Sequence, residues 1–302
     1  MLKVRLTDGA ELAIREFGQG KQPVVLLHGL GMDSSQWLAP LWPYRKHYRF
    51  ILPDFRGAGL SRQVHIAQQD VFQSHAEDIL EVINTLQLDP FLLVGYSLGG
   101  STALHLNHLG KWDGVKAYLH IDQSPALHNR ADWAYGMMGP NQAALFDQMH
   151  AVLAITRRFP TVSTLSQLPL AERKAAMAIL SEIFATILGK PWIGSLLRAL
   201  VYTPSALAKA FSLDHIGDLT RYLNSYLAGK YDYLPALHGC QTPVTCMIGM
   251  HSPLYDARGQ RAIAETVTHG SVIEMAGSGH APMLDQPIVF SRELGRWLRE
   301  SA

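Results

Sequence analysis

The stretch Phe91-Leu92-Leu93-Val94-Gly95-Tyr96-Ser97-Leu98-Gly99 joins an apolar run to a Gly-x-Ser-x-Gly pattern. A helix-like segment follows it, from Gly100 to Leu109. A strand, a tight turn and a helix in this order are the context in which the pattern exposes a serine hydroxyl. Gly95 and Gly99 lack the Cβ atoms that would collide where the strand and the helix meet. We therefore predict that Ser97 lies at the carboxyl end of a strand, in a strained backbone conformation.

Strands and helices alternate on both sides of this stretch. An apolar run without alternation at 24–27 predicts a strand that is buried on both sides. Further strands are predicted at 50–52, 117–121, 243–249 and 271–275. Helical periodicity covers 34–44, with Ser34 or Ser35 as the cap, and also 74–87, 257–267 and 287–299. An Asp-Gly turn makes residues 2–17 a hairpin. The pattern predicts an α/β fold, in which helices flank a mostly parallel central sheet that begins with this hairpin.

Residues 125–237 interrupt the alternation. They contain no convincing buried strand, and they have helical patterns at 142–158, 170–188, 193–200 and 216–228, punctuated by prolines. We interpret residues 1–124 and 238–302 as one core domain. Residues 125–237 are then a helical cap inserted into it.

The composition excludes several classes of partner. The chain has 302 residues and a formal net charge of +1, with no basic run, so nucleic acid and anionic membranes are not expected as partners. No apolar stretch approaches the roughly 20 residues that a bilayer requires, and the N-terminus lacks the apolar core of a signal peptide. Two cysteines in a chain of this length do not form a disulfide framework. We expect a soluble, cytoplasmic protein, whose oligomeric state the sequence does not reveal.

Polar residues follow several of the predicted strands. In an open parallel sheet, chemistry takes place beyond the carboxyl ends of the strands. The residues found at such ends are His28, Asp54, Ser97, Asp122, Gly249 and His280. One topological rule therefore gathers the candidate site residues along one edge of the sheet.

A serine hydroxyl needs a base with a pKa near neutrality before it becomes a good nucleophile. His280 is the strongest candidate, because it lies in a Gly-rich loop after the last strand. His28 belongs to a His-Gly pair that shapes a loop near the serine. His105 and His108 share a helix face, but two histidines make a poor metal site. We assign no metal and expect no cofactor.

The base in turn needs a carboxylate that orients its ring. Asp122 directly ends the strand after the Ser97 helix, whereas Asp256 lies several residues beyond the strand that ends at Gly249. Asp256 also occupies a position at which an aspartate commonly caps a helix. We favour Asp122 and keep Asp256 as the alternative.

Two backbone N–H groups should bind the oxyanion of a tetrahedral intermediate. Leu98, directly after the nucleophile, supplies one donor, and Leu30 in the loop after His28 supplies the other. Trp37 and Tyr96 lie near these donors in sequence. We predict that both form walls of the substrate pocket.

With these residues in place, the chain resembles the α/β-hydrolase fold family. The matching motifs are His28-Gly29, Asp54-x-Arg56-Gly57-x-Gly59-x-Ser61, Gly95-x-Ser97-x-Gly99 and Gly279-His280. Most of the family carries its acid after the strand that ends here at Gly249, where this chain has Ser252. A minority carries the acid one strand earlier, which matches Asp122. In the position of its acid, the chain is similar to a subgroup of serine esterases and haloperoxidase-like hydrolases.

The residues predict a serine hydrolase that cleaves small to medium carboxylic esters through an acyl-enzyme. Ser97 would be the nucleophile, His280 the base and then the acid, and Asp122 the orienting carboxylate. The same triad also suits a C–C bond hydrolase, a lactonase or a perhydrolase. A ligand receptor without turnover is a further alternative, since Ser252 replaces the usual acid. The expected partner is a small-molecule ester or acyl compound.

Overall fold

The computed structural model describes residues 1–302 and contains one sheet of eight strands, in the order β1-β2-β4-β3-β5-β6-β7-β8. The strands are β1 Leu2–Arg5, β2 Glu11–Phe17, β3 Gln22–Leu27, β4 Tyr48–Pro53, β5 Phe91–Tyr96, β6 Val115–Ile121, β7 Val244–Gly249 and β8 Gly270–Met275. Strand β2 pairs antiparallel with β1 and β4, and all other neighbouring strands are parallel. The predicted hairpin and the mostly parallel sheet are both confirmed.

Helices follow most of the strands. They are α1 Leu38–Leu41, α2 Val71–Thr85, α3 Leu98–His108, α4 Gln142–Arg157, α5 Leu170–Leu188, α6 Pro191–Ala199, α7 Pro204–Ala210, α8 Ile216–Ala228, α9 Leu234–Leu237, α10 Ala257–Thr266, α11 Pro282–Asp285 and α12 Pro287–Ser301. None of them is long and apolar enough to cross a bilayer.

Two hydrophobic clusters cover the two faces of the sheet. Successive side chains of a strand point to opposite faces, so Val25 and Leu27 of β3 join the cluster that includes α2, α3 and α10. Val24 and Leu26 join the second cluster, with α1 and α12. A strand buried on both faces has to be apolar throughout, which is why β3 and β5 have no polar face.

Helices α4 to α9 all lie between β6 and β7 in the chain. Helices α5 and α8 have the bounds that the sequence predicted, and α4 and α6 differ from prediction by at most two residues. Helix α7 was not predicted. It begins at Pro204, because a proline that would break a helix from within is favoured in its first turn.

The segment 34–44 corrects the prediction of a single helix. It consists of a 3₁₀ turn at Ser34–Trp37, the one-turn helix α1, and a second 3₁₀ turn at Trp42–Tyr44. Pro40 and Pro43 lack the N–H groups that a continuous helix would use. The cap is Asp33, whose carboxylate accepts a hydrogen bond from the N–H of Ser35 at 2.8 Å.

The loop after β4 is held by a buried ion pair. The Arg56 guanidinium binds both oxygens of Asp78 on α2, at 2.7 and 2.9 Å, and also reaches a carboxylate oxygen of Asp8 at 2.8 Å. The side chains of Arg56 and Asp78 are 4% and 5% exposed, whereas that of Asp8 is 40% exposed. This contact gives the arginine of the Asp54–Ser61 motif a structural role.

Substitution Asp78→Ala is expected to lower the free energy of unfolding by about 3–5 kcal/mol, because it leaves a buried guanidinium without its main partner. Asp8→Ala is the matched control, and it should cost about 1 kcal/mol or less, since Asp8 is half exposed. Chemical denaturation of the two variants measures the difference. Equal small losses in both would contradict a structural role for the buried pair.

Candidate active site

Ser97 occupies a strained turn between β5 and α3. Its backbone has φ 51° and ψ −117°, in the region that non-glycine residues rarely adopt. A Cβ at Gly95 would lie 2.6 Å from the carbonyl oxygen of Gly99, and one at Gly99 would overlap the backbone of Leu27. Only glycine allows this approach of strand and helix, so the sharp turn expected from the sequence is present.

His280 lies in the loop after β8 and reaches back over the turn. Its Nε2 is 3.1 Å from the Oγ of Ser97, and its Nδ1 is 2.8 Å from Oδ1 of Asp122. The ring packs on Tyr96, with 5.3 Å between the ring centroids. Residue exposure is 8% for Ser97, 3% for His280 and 0% for Asp122, so the three groups interact with little competition from water.

Asp122 follows β6 in a left-handed conformation, with φ 44°. Its Oδ2 accepts a hydrogen bond from the N–H of Gly249 at 2.9 Å, and its Oδ1 receives the Oγ–H of Ser252 at 2.7 Å in addition to His280. Three donors therefore hold the buried carboxylate in one orientation.

Asp256, the alternative acid, lies elsewhere. Its carboxylate caps α10 by accepting a hydrogen bond from the N–H of Arg258 at 2.8 Å, and it pairs with the guanidinium of the same residue at 2.7 Å. The hydrogen bonds from Arg258 hold the pKa of Asp256 below its ordinary value. The structure brings Asp122, and not Asp256, to His280.

Ser252 is a site residue that sequence reasoning passed over. It was noted only as the residue that replaces the family's usual acid. Its hydroxyl nevertheless lies within 2.7 Å of Asp122, because the loop after β7 passes beside the end of β6. The position at which most of the family carries its acid, here Ser252, therefore still contacts the carboxylate of the triad.

Substitution Ser252→Ala is expected to lower kcat for ester hydrolysis about tenfold with little change in KM, because a hydrogen bond to a charged group contributes roughly 1.5–3 kcal/mol. Steady-state kinetics measure the change. Ser271→Ala, at an exposed position in β8, should keep full activity. An unchanged kcat in Ser252→Ala would show that Gly249 and His280 are enough to orient the Asp122 carboxylate.

The loop after β3 passes directly over Ser97. A Cβ at Gly29 would lie 2.7 Å from the Tyr96 ring and 3.3 Å from the Cβ of Ser97. Burial lowers the pKa of His28, which favours the neutral form of its ring. His28 Nδ1 lies 2.9 Å from the carbonyl oxygen of Gly29 and its Nε2 accepts a hydrogen bond from Phe55 at 3.1 Å, which braces the loop.

The two predicted oxyanion donors lie on either side of this contact. Leu98 is the first residue of α3, where an N–H has no partner within the helix. Leu30 follows Gly29 and lines the cavity above Ser97. Both residues therefore lie beside Ser97, as the predicted oxyanion role requires.

A cavity of about 980 Å³ opens above Ser97 and His280. Its walls are mostly apolar, and many of the lining residues come from the segment between β6 and β7, including Met137, Leu180, Phe184, Phe211 and Leu223. Tyr96 lines it as predicted. Arg292 and Arg299 of α12 are charged residues along its edge.

Trp37 corrects the prediction of a pocket wall. It is 1% exposed and is not among the residues that line the cavity. Its ring packs near Phe290 of α12, with 6.3 Å between the centroids. Successive residues of a 3₁₀ turn are rotated by about 120° around its axis, so the neighbouring Gln36 lines the cavity while Trp37 joins the core.

Residues 22–287 match the alpha/beta hydrolase fold, and the chain belongs to this family. A pimeloyl-[acyl-carrier protein] methyl ester esterase from Nitrosomonas europaea is 24% identical over 283 residues, which cover 93% of this chain and 97% of that protein. Matches to several other curated relatives are partial, and the chain spans about half the length of those proteins.

Two solved structures share the fold. An esterase from Exiguobacterium antarcticum is 22% identical with a TM-score of 0.72, covering 98% of both chains. A bromoperoxidase from Bacillus anthracis is 18% identical with a TM-score of 0.73, covering 99% of both chains. The resemblance to the α/β-hydrolase fold that the motifs indicate is confirmed.

Proposed function

We propose that this protein is a serine esterase, which cleaves carboxylic esters through an acyl-enzyme. The observation that supports this most strongly is the continuous chain of contacts from Ser97 Oγ through His280 to Asp122, at the floor of an apolar cavity. The similarity to a protein named as a methyl ester esterase agrees with ester cleavage.

In the first step, His280 Nε2 removes the proton from Ser97 Oγ as that oxygen attacks the ester carbonyl. Asp122 accepts a hydrogen bond from Nδ1–H, which fixes the tautomer and stabilises the imidazolium. The N–H groups of Leu30 and Leu98 stabilise the oxyanion of the tetrahedral intermediate. His280 then protonates the leaving alcohol.

In the second step, water takes the place of the alcohol. His280 removes a proton from that water as it attacks the acyl-enzyme, and the carboxylic acid leaves when Ser97 recovers its proton. No metal or cofactor has a role in either step of this proposal.

We further propose that residues 125–237 act as a cap over a core formed by 1–124 and 238–302. Met137, Phe184 and Phe211 of this segment line the cavity opposite Ser97. An apolar cavity of this size favours an ester with an apolar acyl chain, since burial of each methylene contributes about 0.8 kcal/mol. The cap would exclude water from the reacting carbonyl.

Hydrolysis of p-nitrophenyl esters of increasing acyl length tests this proposal. We expect kcat/KM to rise up to about fourfold per methylene from the acetate, until the chain fills the cavity. The Ser97→Ala variant serves as the blank. Folded protein that turns over none of these esters would contradict the proposal, and would favour C–C bond hydrolysis or ligand binding without turnover.

A further inference from the structure

A second group of ligand atoms, which includes no residue of the triad, lies where the segment between β4 and α2 meets the start of α8. It consists of His65, His215 and Asp218, which offer two imidazole nitrogens and one carboxylate oxygen within 4.8 Å of one another. His65 belongs to the proposed core, and the other two residues belong to the proposed cap. None of the three belongs to a motif that is recognisable in the sequence.

Both imidazoles meet one carboxylate oxygen. The Nδ1 of His65 is 2.8 Å from Asp218 Oδ2, and the Nδ1 of His215 is 3.0 Å from the same oxygen. The two rings stack with 3.8 Å between their centroids. The other oxygen, Oδ1, accepts a hydrogen bond from the N–H of Ile66 at 3.0 Å, which orients the carboxylate as an outer hydrogen bond orients a metal ligand.

The Nδ1 of His215 has two neighbours that favour different states of this nitrogen. The backbone N–H of Asp218 donates to it at 3.2 Å, as the helix cap of α8, and this needs a free lone pair on the nitrogen. The Asp218 carboxylate at 3.0 Å also presents a lone pair to the same atom. A proton on Nδ1 lets this nitrogen donate to the carboxylate, and a metal ion bound to Nδ1 would replace that proton and take the place of the hydrogen bond from the backbone N–H.

We propose that His65, His215 and Asp218 form a binding site for a divalent transition-metal ion of the zinc type, which ties α8 to the segment before α2. Imidazole and carboxylate are ligands that zinc accepts, at about 2.0–2.2 Å from the ion. Ligand atoms around a tetrahedral ion at this distance are roughly 3.4 Å apart. The contacts of 2.8 and 3.0 Å need to open by only a few tenths of an ångström.

Access and charge also suit an ion. The side chains of His65 and His215 are 49% and 29% exposed, so a metal can arrive from solvent and a water molecule can complete its coordination. Asp218 is 3% exposed and supplies the negative charge. The guanidinium of Arg221 lies 3.9 Å from Oδ1, the oxygen that the proposal does not use.

Titration of the tag-free, metal-stripped protein with zinc chloride tests the site, by calorimetry and by thermal unfolding. We expect one ion per chain, and a rise in Tm of about 5 °C when zinc exceeds its Kd a hundredfold. His65→Ala and His215→Ala should each lose this rise. His150→Ala, at an exposed position on α4, should keep it.

Asp218→Asn provides a second variant of nearly unchanged shape, in case an alanine variant unfolds, and it should weaken zinc binding at least tenfold. No binding by the parent protein, or a rise in Tm that persists in His65→Ala and His215→Ala, would overturn the proposal and mark the cluster as a hydrogen-bonded pair of histidines. These readouts do not depend on ester turnover, so they are separate from the proposed function.

Discussion

Replacement of Ser97 by alanine is expected to lower kcat for ester hydrolysis about 10⁶-fold, because loss of the nucleophile removes the covalent route entirely. The cavity is unchanged by loss of one oxygen atom, so substrate should still bind with similar affinity. Steady-state kinetics on the best p-nitrophenyl ester measure the effect. Equilibrium binding of a non-hydrolysable analogue measures the affinity.

Two controls make the Ser97 result specific. Ser271→Ala removes a serine hydroxyl from an exposed site in β8 and should leave kcat unchanged. Mass spectrometry after reaction with a fluorophosphonate should show one adduct per chain at Ser97, and none in Ser97→Ala. Substantial turnover by folded Ser97→Ala would refute a serine mechanism in this cavity.

The change Asp122→Asn is expected to lower kcat about 10⁴-fold, the size of the loss that follows when the orienting acid of a serine protease becomes an amide. An asparagine keeps the shape of the side chain, but its NH₂ group can face His280 and stabilise the wrong tautomer. His280 then presents N–H, rather than a lone pair, to Ser97. Single-turnover kinetics separate this chemical step from product release.

Asp256→Asn is the matched control for the acid, and it should change kcat less than twofold, since Asp256 is engaged by Arg258 at the start of α10. The double variant Asp122→Asn/Ser252→Asp adds a stronger check. Ser252 Oγ lies 2.7 Å from Asp122 Oδ1, so a carboxylate placed there should recover part of the activity. A large loss in Asp256→Asn with normal Asp122→Asn would reverse the assignment.

The parts of the fold that depend on local interactions could be predicted from the sequence. The turn at Ser97 needs Gly95 and Gly99, whose missing side chains are visible in the sequence. Helices α5 and α8 appear with their predicted bounds because helical periodicity extends over many residues. Helical periodicity alone gives the wrong prediction for residues 34–44, because Pro40 and Pro43 divide the predicted helix into single turns.

The direction of single side chains was predicted less well. Trp37 is close in sequence to the oxyanion loop, but its position in a 3₁₀ turn directs it into the core beside Phe290. Proximity in sequence does not tell which face of a turn a residue occupies. A shift of one position separates Gln36, in the cavity wall, from Trp37 in the core.

Residue patterns alone were enough to predict the mostly parallel sheet, the position of Ser97 at the end of β5, and the edge at which His280 and Asp122 meet. That Asp122 rather than Asp256 contacts His280, and that Ser252 donates a hydrogen bond to its carboxylate, became evident from the packed structure. It alone brought His65 to Asp218, which lies 153 residues further along the chain. A local sequence pattern indicates whether a segment forms a helix, a strand or a turn. Contacts between distant residues depend instead on how these elements pack, and packing brings together residues that share no sequence pattern.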